Sequence, residues 1–235
     1  LTITIVIFFL MYIGAIVFQG EGFLRPQTFL SMLNANGALI ITSCGMSLVM
    51  ITGGIDISVG GVVALVSMCS AVYLDYHNGS ILGAVLISLG IGLAFGIVQG
   101  YLVAYLDIQP FIVSLAGMFF ARGMTTIVNT NPFNVQNEAF VALKDTRVIV
   151  PGLGSVNKLG RYVDAYVEIG VVVALLVVIL MFIMLRWTKL GRSFYAVGGN
   201  QQSALMLGIN VRRTKFLSHL ICSLLAGIGE FVYFL

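Results

Sequence analysis

Few side chains in this sequence could do chemistry, and those few sit in apolar surroundings. Asp56 lies in the run ITGGIDISVGG, and no other acid stands between Glu21 and Asp75. Gly53-Gly54 favours a break in a helix, Ser58 is suited to cap the helix that follows, and Gly60-Gly61 permits close contact. An acid at membrane depth is costly unless it is paired or wet, which makes it a functional candidate. Irregular backbone at that depth survives only inside protein or along a cavity. Gly53, Gly54, Asp56 and Ser58 therefore read in two ways: as part of a pore or gate, or as a tight hairpin at the membrane face with Asp56 exposed. Arg122 and Glu230 are the other charges near membrane depth. Either acid could pair with Arg122 in a polar pathway, or Arg122 could extend its head group toward the interface.

Enzyme chemistry finds no support. There is no Gly-Lys dipeptide for a phosphate-binding loop, no His-Glu-x-x-His and no Gly-x-Ser-x-Gly. His77 and His219 stand too far apart in sequence to suggest a metal site, so none is expected. Cys44, Cys69 and Cys222 all fall in apolar segments and suggest no disulfide framework. If this protein uses energy, a partner must supply it.

The elements that position these residues are membrane spans. The chain has 235 residues, 59% hydrophobic and 9% charged, with mean hydropathy +1.05. A soluble domain is about 25% charged, so this chain needs a lipid bilayer to cover its apolar surface. Seven spans are predicted, at 1–19, 34–53, 57–74, 80–106, 111–129, 167–186 and 216–235. The expected fold is an all-α polytopic helix bundle, a single transmembrane domain over 1–235. Residues 1–19 read as a span and not a signal peptide, since no basic region precedes them. Both ends lie in apolar runs, so the chain is expected to be cut at both. Residues 19–33 read as a polar connection with Glu21, Arg25 and Pro26. Residues 130–166 read as the longest polar stretch, with Pro132 and Pro151. Along 80–106, Ala84, Ser88, Gly92, Gly96, Gly100 and Ala104 recur at every fourth position. That stripe lets another helix approach closely, either within the chain or at a subunit or pore contact.

Residues 187–215 fix the orientation. From Arg186 to Lys215 come Arg186, Lys189, Arg192, Arg212, Arg213 and Lys215, half of the chain's 12 Lys and Arg, and no acid. Cationic loops stay in the cytoplasm. Between Glu138 and Glu168 the basic residues Lys144, Arg147, Lys158 and Arg161 balance the acids Glu138, Asp145, Asp164 and Glu168, which suits the outer side. The net charge of +3 thus speaks of orientation, not nucleic acid. Within 187–215, Gly198-Gly199 is expected to form a turn, Asn200 to cap a short helix over 201–207, and Gly208 to end it.

Three stretches carry a family resemblance. GMSLVMITGGIDISVG at 45–60, LAGMFFARG at 115–123 and GRSFYAVGGNQQSALMLGI at 191–209 resemble signatures of the ribose, xylose and galactose type of bacterial ABC permease. The second and third look most like the galactofuranose permease, although ALMLG at 204–208 departs slightly. The resemblance implies a multi-pass inner-membrane permease subunit of an ATP-driven sugar importer. It implies a second permease subunit, identical or not, two cytoplasmic ATPases and a periplasmic sugar-binding protein. ATP would be bound by partners, so this chain needs no cofactor of its own. Residues 200–208 then match the coupling helix, with Gly198, Gly199, Asn200, Gln201, Gln202, Leu205 and Gly208 at the ATPase contact. A proton-coupled carrier using Asp56 or Glu230, a membrane enzyme and a scaffold are the rivals. For sugar contact, Asn34, Asn36, Phe95, Gln99, Phe119, Phe120 and Asn129 offer stacking faces or amide groups.

The orientation is testable. In a Cys-free background, single cysteines at Ser193 and Ser155 should label from opposite sides, Ser193 from the cytoplasm. Labelling of both by an impermeant reagent in intact spheroplasts overturns it.

Overall fold

The computed structural model describes residues 2–19, 26–131, 134–144, 146–156 and 162–234. Glu21, Arg25, Pro132, Asp145, Lys158 and Arg161 lie outside them. Ten helices and one β-hairpin occur among the described residues, and the hairpin was not foreseen.

The first helix, α1 (Thr2–Gln19), is apolar and keeps most side chains exposed. The next, α2 (Pro26–Ile51), begins well before the expected boundary at 34. Pro26 takes the first helical position, where a missing N–H costs nothing. The polar residues that suggested a connection are instead bonding side chains on a continuous helix, as Gln27 and Asn34 show below. Helix α3 (Val59–Tyr76) follows the break. Helix α4 (Ile81–Ala104) starts on Ser80, whose hydroxyl accepts the Gly83 N–H at 3.2 Å. Helix α5 (Pro110–Val128) again has proline at its first turn.

The polar stretch after α5 is ordered. Helix α6 (Glu138–Lys144) precedes the antiparallel strands β1 (Arg147–Val156) and β2 (Tyr162–Glu168), with Arg147 opposite Glu168 and Val150 opposite Ala165. The register slips after Val150, next to Pro151, which has no N–H for the ladder. Helix α7 (Ile169–Trp187) returns through the bundle. The basic segment then folds as α8 (Lys189–Gly199) and α9 (Gln201–Met206). The last helix, α10 (Val211–Phe234), starts five residues earlier than expected, because Asn210 accepts the Arg213 N–H at 2.9 Å and so caps it. Six of these helices are long and apolar enough to cross a membrane, and α1 adds a shorter apolar one. That agrees with about seven spans.

Helix α10 is the centre, packed against α2, α3 and α4. The small-residue stripe of α4 lies on it. A β-carbon at Gly92 would stand 2.6 Å from the Ser223 carbonyl oxygen, at Gly96 2.9 Å from the Leu220 Cα, and at Gly100 2.9 Å from the Phe216 oxygen. Real β-carbons do not come that close to backbone, so the helices touch main chain to main chain. The stripe therefore serves packing within the chain. On the other side of α10, Gly45 of α2 meets Cys222 in the same way, and Gly61 of α3 meets Met118 of α5.

Gly96→Leu should destabilise the purified full-length protein by about 1–3 kcal/mol or more, the cost of overpacking a tight core. Gly123→Leu is the control, since a β-carbon there meets nothing within 4 Å. Equal melting temperatures for the two variants in detergent would show that α4 and α10 are loosely packed.

Candidate functional site

The break after α2 is where the polar residues gather. Helix α2 stops at Ile51, and Gly53 adopts φ +83°, a left-handed conformation that favours glycine. Residues 54–57 run without regular structure to Ser58. Asp56 and Ser58 are both fully buried, which rules out the exposed hairpin. Ser58 holds the N-cap position of α3 but makes no side-chain cap. Asp56 supplies the bond instead: its Oδ1 accepts the Ser58 N–H at 2.9 Å and the Ser58 hydroxyl at 2.6 Å. The carboxylate ties the break into a tight turn across two residues.

Other elements close over this turn. Gln99 of α4 places its amide 3.1 Å from the Ser58 hydroxyl and rests its nitrogen on Gly117 of α5. Thr52 and Ser218 of α10 share a hydroxyl contact of 3.3 Å. Cys222 and His219, also on α10 and buried, lie near Asp56. Asp56 Oδ2, Gln99 Nε2 and His219 Nε2 are buried and have no hydrogen-bond partner among the described residues. The site is a knot of α3, α4 and α10 around one carboxyl group, with capacity left for a proton or a water.

The remaining candidates lie elsewhere. Arg122 is on the exposed side of α5 and partners neither acid. Glu230 is buried on α10 near Ser67 of α3, so the two acids occupy separate places. No group of three or more His, Cys, Asp or Glu able to hold a metal occurs among the described residues. Gly92, Gly96 and Gly100 belong to the α4–α10 contact described above.

On the basic face, Gly198 and Gly199 are the last residues of α8 and not a turn. The glycine is needed there for contact: a β-carbon at Gly198 would collide with the Ile51 carbonyl oxygen. The chain turns at Asn200, whose side chain accepts the Ser203 N–H at 2.9 Å. Helix α9 ends with Gly208 at φ +77°, where Gly208 N–H bonds Leu205 and Ile209 N–H bonds Ala204, each at 3.0 Å. Between these stops Ala204 is buried, while Gln201, Gln202 and Leu205 face out. Leu205, Met206 and Leu207 are 59%, 88% and 77% exposed, an apolar patch with no cover. A cavity lined by Thr52, Gly53, Gly198 and Gln201 separates α9 from the break.

With this arrangement in view, the comparisons decide the family. Residues 28–235 match the family described as branched-chain amino acid transport system / permease component. The chain belongs to this permease family. It is 33% identical to the fructose import permease protein FruG of Bifidobacterium longum over 97% of this chain and 65% of the relative. It is 33% identical to the inner membrane ABC transporter permease protein YjfF of Escherichia coli over 99% and 67%. The ribose import permease protein RbsC of Escherichia coli is 29% identical over 95% and 66%. The chain thus spans about two thirds of the length of these relatives. No solved structure matches it. The relatives are transport permeases, and the permease is a multi-pass protein of the inner membrane.

Sequence reasoning found Asp56 and Ser58 but gave them the wrong relation. Thr52, Ser218, His219 and Cys222 were missed as neighbours, because only helix packing brings 218–222 back to the break. Gln99 carried one signal, an amide in an otherwise apolar span.

Asp56→Ala should cost about 1–3 kcal/mol, since it leaves the buried Ser58 N–H unpaired while the Ser58 hydroxyl keeps Gln99. Asp56→Asn keeps an acceptor and should cost less. Thermal unfolding of the purified full-length variants in detergent checks this order, and identical midpoints for all three proteins would show the knot to be idle.

Proposed function

We propose that this chain is the greater part of a permease subunit in an ATP-driven sugar importer, and that α9 is the helix through which the ATPase acts. The observation that carries the reading is the apolar patch of Leu205, Met206 and Leu207 on a capped helix in the most basic part of the chain. The positive charge assigns that part to the cytoplasm. There an exposed apolar helix needs a protein groove, as helix-in-groove recognition requires. Gln201, Gln202 and Leu205 form the contact, and Gly198, Gly199, Asn200 and Gly208 shape the segment.

The path inward is contiguous. A push on α9 bears on α8 through Asn200, and Gly198 of α8 sits against the end of α2. Beyond that end lies the break with Gly53, Gly54 and the Asp56–Ser58 knot, bonded to α4 and facing α10. ATPase closure would tilt these helices as units and alter the gate. Arg122, on the outer side of α5, faces a second permease subunit or the translocation path. ATP stays with the ATPase subunits, and a periplasmic sugar-binding protein delivers the substrate to the opposite face. The names of the fructose and ribose relatives support a sugar as substrate. The likeness to galactofuranose permeases at 115–123 and 191–209 suggests which sugar to test first.

The buried acids Asp56 and Glu230 favour one second reading, a proton-coupled carrier. Such a carrier moves sugar without an ATPase and stops when the proton gradient is collapsed.

Leu205→Asp separates these. The charge cannot be solvated in an apolar groove, and the exposed site leaves the spans untouched. In the reconstituted importer, stimulation of ATP hydrolysis by sugar-loaded binding protein should disappear and uptake should stop, with normal membrane insertion. Full transport with the ATPase still bound would reduce 187–215 to a topogenic spacer.

A further inference from the structure

At the end of the bundle opposite α9, a recess of about 380 Å³ lies between the outer end of α2, the β-hairpin and the end of α10. It falls at the small end of ordinary ligand sites, ~300–1,000 Å³. Its walls are held by specific bonds. The Gln27 side chain of α2 accepts the Tyr166 N–H at 2.9 Å and donates to the Tyr166 carbonyl at 3.5 Å. Asn34, two turns along α2, accepts the Glu168 N–H at 3.1 Å. Strand β2 is thereby bonded to the helix at alternate residues, whose side chains share one face of the strand. The Arg147 guanidinium lies 4.4 Å from the Tyr166 ring centre and holds that ring from one face.

Tyr166, Tyr233, Lys144, Glu168, Asn34 and Ser31 line the recess. Neither Lys144 nor Glu168 has an ion pair among the described residues, so both head groups remain available. The Asn34 amide nitrogen likewise has no partner among the described residues. The larger groove between α4 and α5 differs, since its lining is apolar apart from Gln99 and gives a hydroxylated ligand little to bond.

Resting on the sugar-importer reading, we infer that this recess binds a neutral monosaccharide as the sugar leaves its binding protein. The carboxylate accepts from hydroxyls, while the ammonium and the amide nitrogen donate to them. The tyrosine rings offer negative faces to the C–H groups of a sugar ring. With one charge of each sign, the lining has no preference for an anion or a cation. A zwitterion would use the charged pair but leave the Asn34 amide nitrogen unmatched.

The test is direct binding to the full-length permease in lipid nanodiscs, followed by saturation-transfer difference NMR. The probes are D-ribose, D-fructose and D-galactose, with leucine and glycerol for comparison. One or more sugars should give ring-proton signals, and Glu168→Gln and Tyr166→Ala should weaken that binding at least tenfold. Glu168→Gln preserves shape and leaves the backbone bond to Asn34 intact, so it decides the matter if Tyr166→Ala disturbs the hairpin. Leu180→Ala, at an exposed site on α7, should bind as the parent does. Silence from every sugar, a signal from leucine instead, or sugar binding that survives both variants overturns the proposal. So does a loss of binding-protein-stimulated ATP hydrolysis in the variants with sugar binding intact, since the recess is then a protein docking surface. ATP-driven uptake by the complete importer keeps the two readings apart. Uptake without binding here sinks the recess alone, whereas no uptake of any sugar sinks the importer reading.

Discussion

The close approach of α10 to its neighbours is the constraint on which the structure depends. Helices in lipid gain little from burying apolar side chains, because the surrounding tails are as apolar as leucine. Packing must come from shape. Gly92, Gly96 and Gly100 on α4 and Gly45 on α2 remove side chains along two sides of α10, and its backbone settles into the space. Gly227 and Gly229 return the arrangement from α10, against Ser88 of α4 and Ala38 of α2. Once α10 is seated, Ser218, His219 and Cys222 have one place to go, beside the break. The polar knot is a consequence of glycine packing.

The knot in turn explains how a break is tolerated. Interrupting a helix leaves backbone donors and acceptors unpaired, and the cost is high away from water. At 52–58 the chain supplies its own partners. Thr52 N–H and Gly54 N–H bond back to Leu48 and Val49, at 3.1 and 2.9 Å, and Asp56 takes the Ser58 N–H. Asp56 Oδ1 takes both Ser58 donors, and Oδ2 has no partner among the described residues, so the turn and not a cation holds the acid.

Local signals were legible in the sequence, and long-range ones were not. Spans follow from apolar length, and the Pro110 start, the Asn200 cap and the Gly208 stop follow from residues acting on their immediate neighbours. The periodic stripe on α4 was readable as a contact, but nothing local says that α10 fills it. Gly198-Gly199 misled for the same reason: two glycines suit a turn, yet here one is required by Ile51, far away in sequence. The boundary at 34 failed because Gln27 and Asn34 look like loop residues until β2 supplies their partners. The hairpin escaped notice because Pro151 and the surrounding glycines masked the β-branched run at 148–150.

Helix α2 links the two faces. Its 26 residues extend about 39 Å at 1.5 Å per residue, enough to cross the bilayer with some to spare. Gln27 and Asn34 fasten its first half to β2, and the Ile51 carbonyl at its other end rests on Gly198. Gly45 sets its middle against Cys222 of α10. A helix held at three points with no proline between them moves as a rigid body, since packed helices shift by sliding or tilting and not by bending. Displacement of α8 would therefore reach the recess beside β2 as a tilt of α2 about its contact with α10. No wire of individual side chains is required for that.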